Sequence, residues 1–236
     1  MGKNGGPQRK VSMGLLLKAA AGLTNLVAVL GLLLFGSAGT LRFVEGWMLL
    51  GLFSGSSLAI TLYLVRTDPA LLARRTQAGP LAEKERSQKL IQGIASLFFL
   101  AMLGLPGLDH RFGWSHVPLP VALAGDGLVF VGFLVVFLVF RENTFTSSVI
   151  EVALEQRVID SGPYAIVRHP MYAGALVLVA GIPMALGSVV GLAAFPPFAA
   201  VIVWRLLDEE RFLLSRLPGY AAYRERVRYR LVPGVW

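Results

Sequence analysis

The sequence predicts an all-α, polytopic membrane bundle of four spans followed by a C-terminal helical hairpin, and three observations carry that prediction. Of 236 residues, 55% are hydrophobic and 15% charged, and the mean hydropathy is +0.65, a balance that a water-soluble globule does not sustain. Apolar runs cover residues 13–35, 43–65, 91–108 and 117–140, each close to the roughly 20 helical residues that cross a hydrocarbon core of about 30 Å. Basic residues alternate from loop to loop, 20 in one set and 2 in the other, so the positive-inside rule puts both termini and the loop 66–90 in the cytoplasm. The same asymmetry explains the net charge of +8 as a basic surface beside membrane lipids, without a nucleic-acid partner.

The first run follows Lys3, Arg9 and Lys10 and precedes Ser37-Ala38-Gly39, flanks that a signal peptide also shows. It is longer than the roughly 7 to 15 residues of a signal-peptide core, so it reads as a retained span. Met1-Gly2-Lys3-Asn4-Gly5-Gly6 lacks the Ser or Thr of a myristoylation site. In the fourth span, Gly125-Asp126-Gly127 does not continue as G-x-G-x-x-G and has no βαβ context. Asp126 therefore reads as an ion-path residue or, between glycines, as a helix cap or bend. Residues 171–207 are broken by Pro183, Gly187, Gly191 and Pro196-Pro197, which makes a hairpin that either spans twice or dips in and returns. In the tail, Tyr220, Tyr223 and Val227 share one face of a helix surrounded by arginines, the pattern of a helix lying along the interface.

The chain is thus one membrane domain, 1–236, with four helices in 1–140 and its charged and aromatic-polar residues concentrated in 141–236. The absence of Cys excludes disulfides, thiolate metal sites and a cysteine nucleophile. His110 and His116 fall in an external loop, across the membrane from His169, so no metal site is expected. No Walker A, H-E-x-x-H or G-x-S-x-G pattern occurs.

Two clusters remain as carriers of chemistry. In Gly162-Pro163-Tyr164-Ala165-Ile166-Val167-Arg168-His169-Pro170-Met171-Tyr172, Gly162-Pro163 is a turn signal. Pro170 suits the first position of a helix, which leaves His169 at the cap. A helix N-terminus beside Arg168 and His169 suits a carboxylate or phosphate, or else the two residues anchor the helix at the headgroups. In Trp204-Arg205-Leu206-Leu207-Asp208-Glu209-Glu210-Arg211, helical spacing puts Glu210 on the apolar stripe with Val203, Leu206, Leu207, Leu213, Leu214 and Leu217. Glu209 falls between Arg205 and Arg216 and reads as a solvated helix charge. A buried carboxylate is costly without a partner, which makes Glu210 a site candidate.

Together, Gly162-Pro163-Tyr164, Arg168-His169-Pro170, Tyr172 and Gly174, then Glu209-Glu210, Tyr220, Tyr223, Arg230 and Pro233-Gly234, resemble the isoprenylcysteine carboxyl methyltransferase family. That superfamily also includes phospholipid methyltransferases, and the resemblance covers about 141–236. It implies an S-adenosylmethionine-dependent enzyme, releasing S-adenosylhomocysteine, with the cofactor at the cytoplasmic face and a lipophilic acceptor, such as an isoprenylcysteine carboxylate, entering from the lipid. It assigns Gly162, Tyr164, Arg168, His169, Pro170, Tyr172, Glu209 and Glu210 to the cofactor. Methyl transfer needs alignment more than a protein nucleophile. Glu210, with Arg141 and Asn143 at the end of the fourth span, completes the catalytic candidates, although Asn143 also suits plain helix capping. Two other readings stand beside this one. A membrane reductase of the sterol-reductase kind is similar in placing acidic, Tyr and Arg groups after a hairpin, but Arg168-His169-Pro170 argues against it. A small transporter or scaffold using Asp126 and the glycine-rich spans lacks paired broken helices.

Overall fold

The computed structural model describes residues 12–76, 86–146 and 157–236. Lys3, Arg9 and Lys10, the start Met1–Gly6 and part of the loop 66–90 lie outside the described residues. Among these, every regular element is helical: α1 (Met13–Ala38), α2 (Val44–Thr67), α3 (Pro69–Arg75), α4 (Arg86–Phe112), α5 (Leu119–Glu142), α6 (Pro170–Ala185), α7 (Val189–Leu192), α8 (Phe195–Arg216) and α9 (Tyr220–Arg226). One 3₁₀ turn, Gly162–Ala165, precedes α6. Helices α1, α2, α4, α5 and the α7–α8 stretch are long and apolar enough to cross a membrane. The four predicted spans thus stand where the apolar runs put them, each running a few residues further at its C-terminal end.

Local chemistry sets the ends. The Ser12 hydroxyl accepts the Leu15 N–H at 3.2 Å to cap α1, and Asp68 accepts the Leu71 N–H at 2.9 Å to start α3, with Pro69 at its first position. Asp126 is neither a cap nor a bend, because α5 runs unbroken through it. It is half-buried, and its Oδ1 has no hydrogen-bond partner among the described residues.

The hairpin runs the full length of the bundle. α6 has 16 residues, about 24 Å at 1.5 Å per residue. Just beyond it the Ser188 hydroxyl donates to Asp109 at the end of α4, at 2.5 Å, and the Val189 N–H donates to the Ser115 hydroxyl at 3.1 Å. Asp109 also accepts the N–H and hydroxyl of Ser115, both at 2.7 Å. A buried carboxylate with three donors therefore ties the hairpin turn to the α4–α5 connection. α8 then returns its C-terminal turns to the end where α6 began.

The most extensive helix contact is between α5 and α6, which run antiparallel. Gly125 and Gly132 on α5 face Gly181 and Gly174 on α6, two glycines seven residues apart on each helix. A Cβ at Gly132 would lie 2.4 Å from the Leu178 Cβ, and one at Gly125 2.2 Å from the Ala185 nitrogen. Small residues let the two backbones approach closely, which is how helices associate where lipid supplies no hydrophobic drive. Replacing Gly132 by Val should overpack this seam and cost about 1–3 kcal/mol or more. Gly127→Val, on a face with nothing within 4 Å, should leave the detergent-solubilised melting temperature near wild type.

Candidate functional site

The turn before α6 is held from both sides. Gly162, at φ +55°, takes the left-handed conformation that opens the 3₁₀ turn. Pro170 begins α6 with His169 at the N-cap. The N–H groups of Arg168 and His169 donate to the carbonyls of Tyr229 and Arg230 at 2.8 and 3.0 Å. The Arg168 Nη1 donates to the carbonyls of Val227 and Arg228 at 2.9 and 2.7 Å. Its Nε donates to Glu210 Oε1 at 2.7 Å, with both side chains about 5% exposed or less. His169 Nε2 lies 3.2 Å from the same oxygen, and Arg230 Nε donates to Glu210 Oε2 at 2.9 Å. The Arg230 guanidinium also lies over the Trp236 ring at 4.9 Å.

Beside this cluster is a cavity of about 750 Å³. At one end it is lined by Asn143, Tyr164, Arg168, His169, Tyr172, Arg205, Glu209, Tyr220 and Tyr223, together with Arg75. Towards the middle of the bundle the wall becomes Ala95, Phe99, Leu100, Phe133, Leu178, Phe198 and Ile202. Leu100 and Ser96 of α4 line it while being exposed on the outer surface, so among the described residues the apolar half reaches the side of the bundle beside α4. Pockets of this size, apolar with a few converging polar groups, suit small-molecule ligands.

Glu210 is buried as the helical periodicity predicts, but it does not border the cavity. Glu209 does, and this corrects its reading as a solvated charge. The Tyr172 hydroxyl donates to Glu209 Oε2 at 2.5 Å. Arg205 Nε donates to the Tyr172 oxygen and its Nη1 to Gln88 Oε1, both at 3.1 Å. Gln88 in turn donates to Asp208. Glu209 faces inward because α8 presents two of its sides to protein, one to the Arg168 turn and another to α4 and α6. Tyr164 and Asn143 meet through Asn143 Nδ2 and the Tyr164 hydroxyl at 3.0 Å, while Asn143 Oδ1 accepts the Phe145 N–H. Gly162 and Arg141 are exposed and do not border the cavity. The sequence reading missed Arg75, Gln88 and Arg205 as site residues. Tyr220, Tyr223 and Val227 pack inward against Leu217, Leu213 and Val158 instead of marking a lipid-facing anchor.

The polar end is rich in buried phenols. Burial pushes the Tyr164 hydroxyl up to about 12, against the opposing Asn143 bond. Burial likewise raises Tyr220, helped by the Glu210 and Glu209 carboxylates, and Tyr223. The Tyr223 hydroxyl donates to the Tyr164 carbonyl at 2.8 Å, whereas the Tyr220 hydroxyl is buried without a hydrogen-bond partner among the described residues. Burial lowers the Arg75 guanidinium. Among the described residues no group of His, Asp and Glu has the geometry to hold a metal ion.

Residues 121–217 match the family model of the phospholipid methyltransferases. The match runs from the start of α5 to the end of α8, so it takes in the α5–α6 seam, the Arg168 turn and both glutamates. The matched segment is less than half of the chain and is similar to the phospholipid methyltransferases. The protein is an integral, multi-pass membrane protein, and the likeness of this segment supports a membrane methyltransferase in general. None of the curated proteins compared with the chain matches it.

The raised phenols fix the sign of an alkaline pH dependence. The folded protein keeps protons that the unfolded chain, with phenols near 10, releases, so stability should fall as pH rises from about 10 to 12, by about 1.4 kcal/mol per unit for Tyr164 alone. Tyrosinate absorbance should show Tyr164 ionising only near the top of that range, and Tyr164→Phe should flatten the fall.

Proposed function

We propose that the protein transfers a methyl group from S-adenosylmethionine to a lipophilic acceptor, a carboxylate of isoprenylcysteine type. The observation that carries this reading is one cavity with a carboxylate and phenols at one end and an apolar wall reaching the side of the bundle at the other. The polar end fits the donor. Glu209 suits ribose hydroxyls or an ammonium group, and the faces of Tyr164, Tyr172 and Tyr220 suit a sulfonium cation. The unpartnered Tyr220 hydroxyl is a buried donor that a ligand oxygen would satisfy. When bound, the donor supplies an activated methyl group: transfer to a carboxylate breaks the C–S bond, forms an ester C–O bond and leaves S-adenosylhomocysteine, with no proton to remove.

The protein's part is then positioning and exclusion of water. Tyr172, fixed between Arg205 and Glu209, holds the Glu209 carboxylate towards the cavity. Arg75 and Arg205 line the polar end, which favours an acceptor bearing a carboxylate. Membrane lipids would then deliver the acceptor beside α4, and the basic loops orient this end of the bundle to the cytoplasm. A second reading, favoured by the family match, is a phospholipid amine. Such an acceptor must lose a proton, and Glu209 is the carboxylate on the cavity wall that could take it.

Calorimetric titration of purified protein with S-adenosylmethionine should show binding, and NADPH none. The reverse result would establish the reductase reading instead. With labelled donor, an S-prenylcysteine derivative should become a base-labile ester. Label in phosphatidylethanolamine alone would establish the amine reading. Tyr220→Phe removes a hydroxyl that has no partner among the described residues, so it should leave the melting temperature unchanged while weakening donor binding by up to about tenfold.

A further inference from the structure

We infer that the two adjacent glutamates divide the work: Glu209 is offered to the ligand, whereas Glu210 is a positioning residue that never touches it and acts through Arg168, His169 and Arg230. The inference rests on the donor reading above for the role of Glu209, and on geometry alone for Glu210.

Glu210 accepts from three side chains, two on one oxygen and one on the other, at 2.7, 3.2 and 2.9 Å. It is 4% exposed and does not line the cavity. Glu209 lines the cavity, and the Tyr172 hydroxyl is its one hydrogen-bond donor among the described residues. A buried carboxylate that accepts from two guanidiniums and an imidazole and does not border the cavity would have to move off these partners to reach a ligand there, leaving buried charge uncompensated.

What Glu210 holds is equally specific. Arg168 and His169 line the cavity, and their backbone is paired with Tyr229 and Arg230. Arg230 does not line the cavity, and it lies beyond the family-matched segment, which ends at residue 217. Its guanidinium, clamped to Glu210 and resting on Trp236, ties residues 227–230 to the Arg168 turn. Arg230 thereby becomes a second positioning residue, whose side chain acts on the cavity through Glu210.

The test is a double-mutant cycle on S-adenosylhomocysteine affinity, read beside trypsin cleavage after Arg224, Arg226 and Arg228, which every variant keeps, in ligand-free protein. Glu210→Gln and Arg230→Gln should each speed that cleavage and each weaken ligand binding about tenfold. Because they act through one contact, the double variant should lose about tenfold and not a hundredfold. Glu209→Gln should leave the cleavage rate at the wild-type value, weaken binding about tenfold, and multiply with Arg230→Gln to about a hundredfold. If Glu210→Gln does not fold, Arg230→Gln alone decides: unchanged affinity and unchanged cleavage overturn the clamp. Multiplying losses for Glu210 and Arg230, or a tail opened equally by Glu209→Gln, also overturn it. A wild-type protein that binds no S-adenosylhomocysteine overturns the donor reading and with it the role given to Glu209, while the cleavage rates still decide that of Glu210.

Discussion

The ion pair between Arg168 and Glu210 is the constraint around which the rest of this end of the bundle is arranged. A carboxylate this deeply buried costs several kcal/mol unless its charge is balanced and its lone pairs are filled. Arg168 supplies a fork that also reaches the carbonyls of Val227 and Arg228, so one side chain joins α8, the turn before α6 and the C-terminal segment. His169 and Arg230 fill the remaining positions on Glu210. The fork explains why arginine suits this position: its Nε meets the carboxylate while its Nη1, set apart from it, meets the two carbonyls, a spacing that the single nitrogen of a lysine does not offer.

The second constraint is the glycine seam between α5 and α6. With α6 pressed along α5, contact between α6 and α8 is sparse. The cavity occupies the space this leaves, bounded by Leu178 and Val179 of α6, Phe198 and Ile202 of α8, Phe133 of α5 and Phe99 of α4. Asp109 holds the far end of the hairpin in place through Ser188. The hairpin is thus anchored at both ends by buried carboxylates, one closing the fold and the other serving the site. This arrangement leaves the polar end and the apolar body of the cavity continuous.

The sequence by itself determined the class, the four spans and the hairpin, because the length of an apolar run and the cost of an unsatisfied backbone in lipid are one-dimensional facts. It also determined that Glu210 is buried, since helical periodicity places it among leucines, and that His169-Pro170 opens a helix. Only the tertiary structure decided which glutamate faces the cavity. Periodicity marks one buried stripe on α8, but the helix packs on two sides, and the second is shown by Tyr172 and Arg205 alone. Gln88 could not be read as a site residue either, because it meets Arg205 across 117 positions of chain. Arg75, in a loop rich in basic residues, carries the same local signal as any surface charge, until the fold turns it over the Phe140 ring and into the cavity wall. Contacts between distant segments depend on how helices pack, and helix packing is set by small residues and buried charges acting together, which no single stretch of sequence contains.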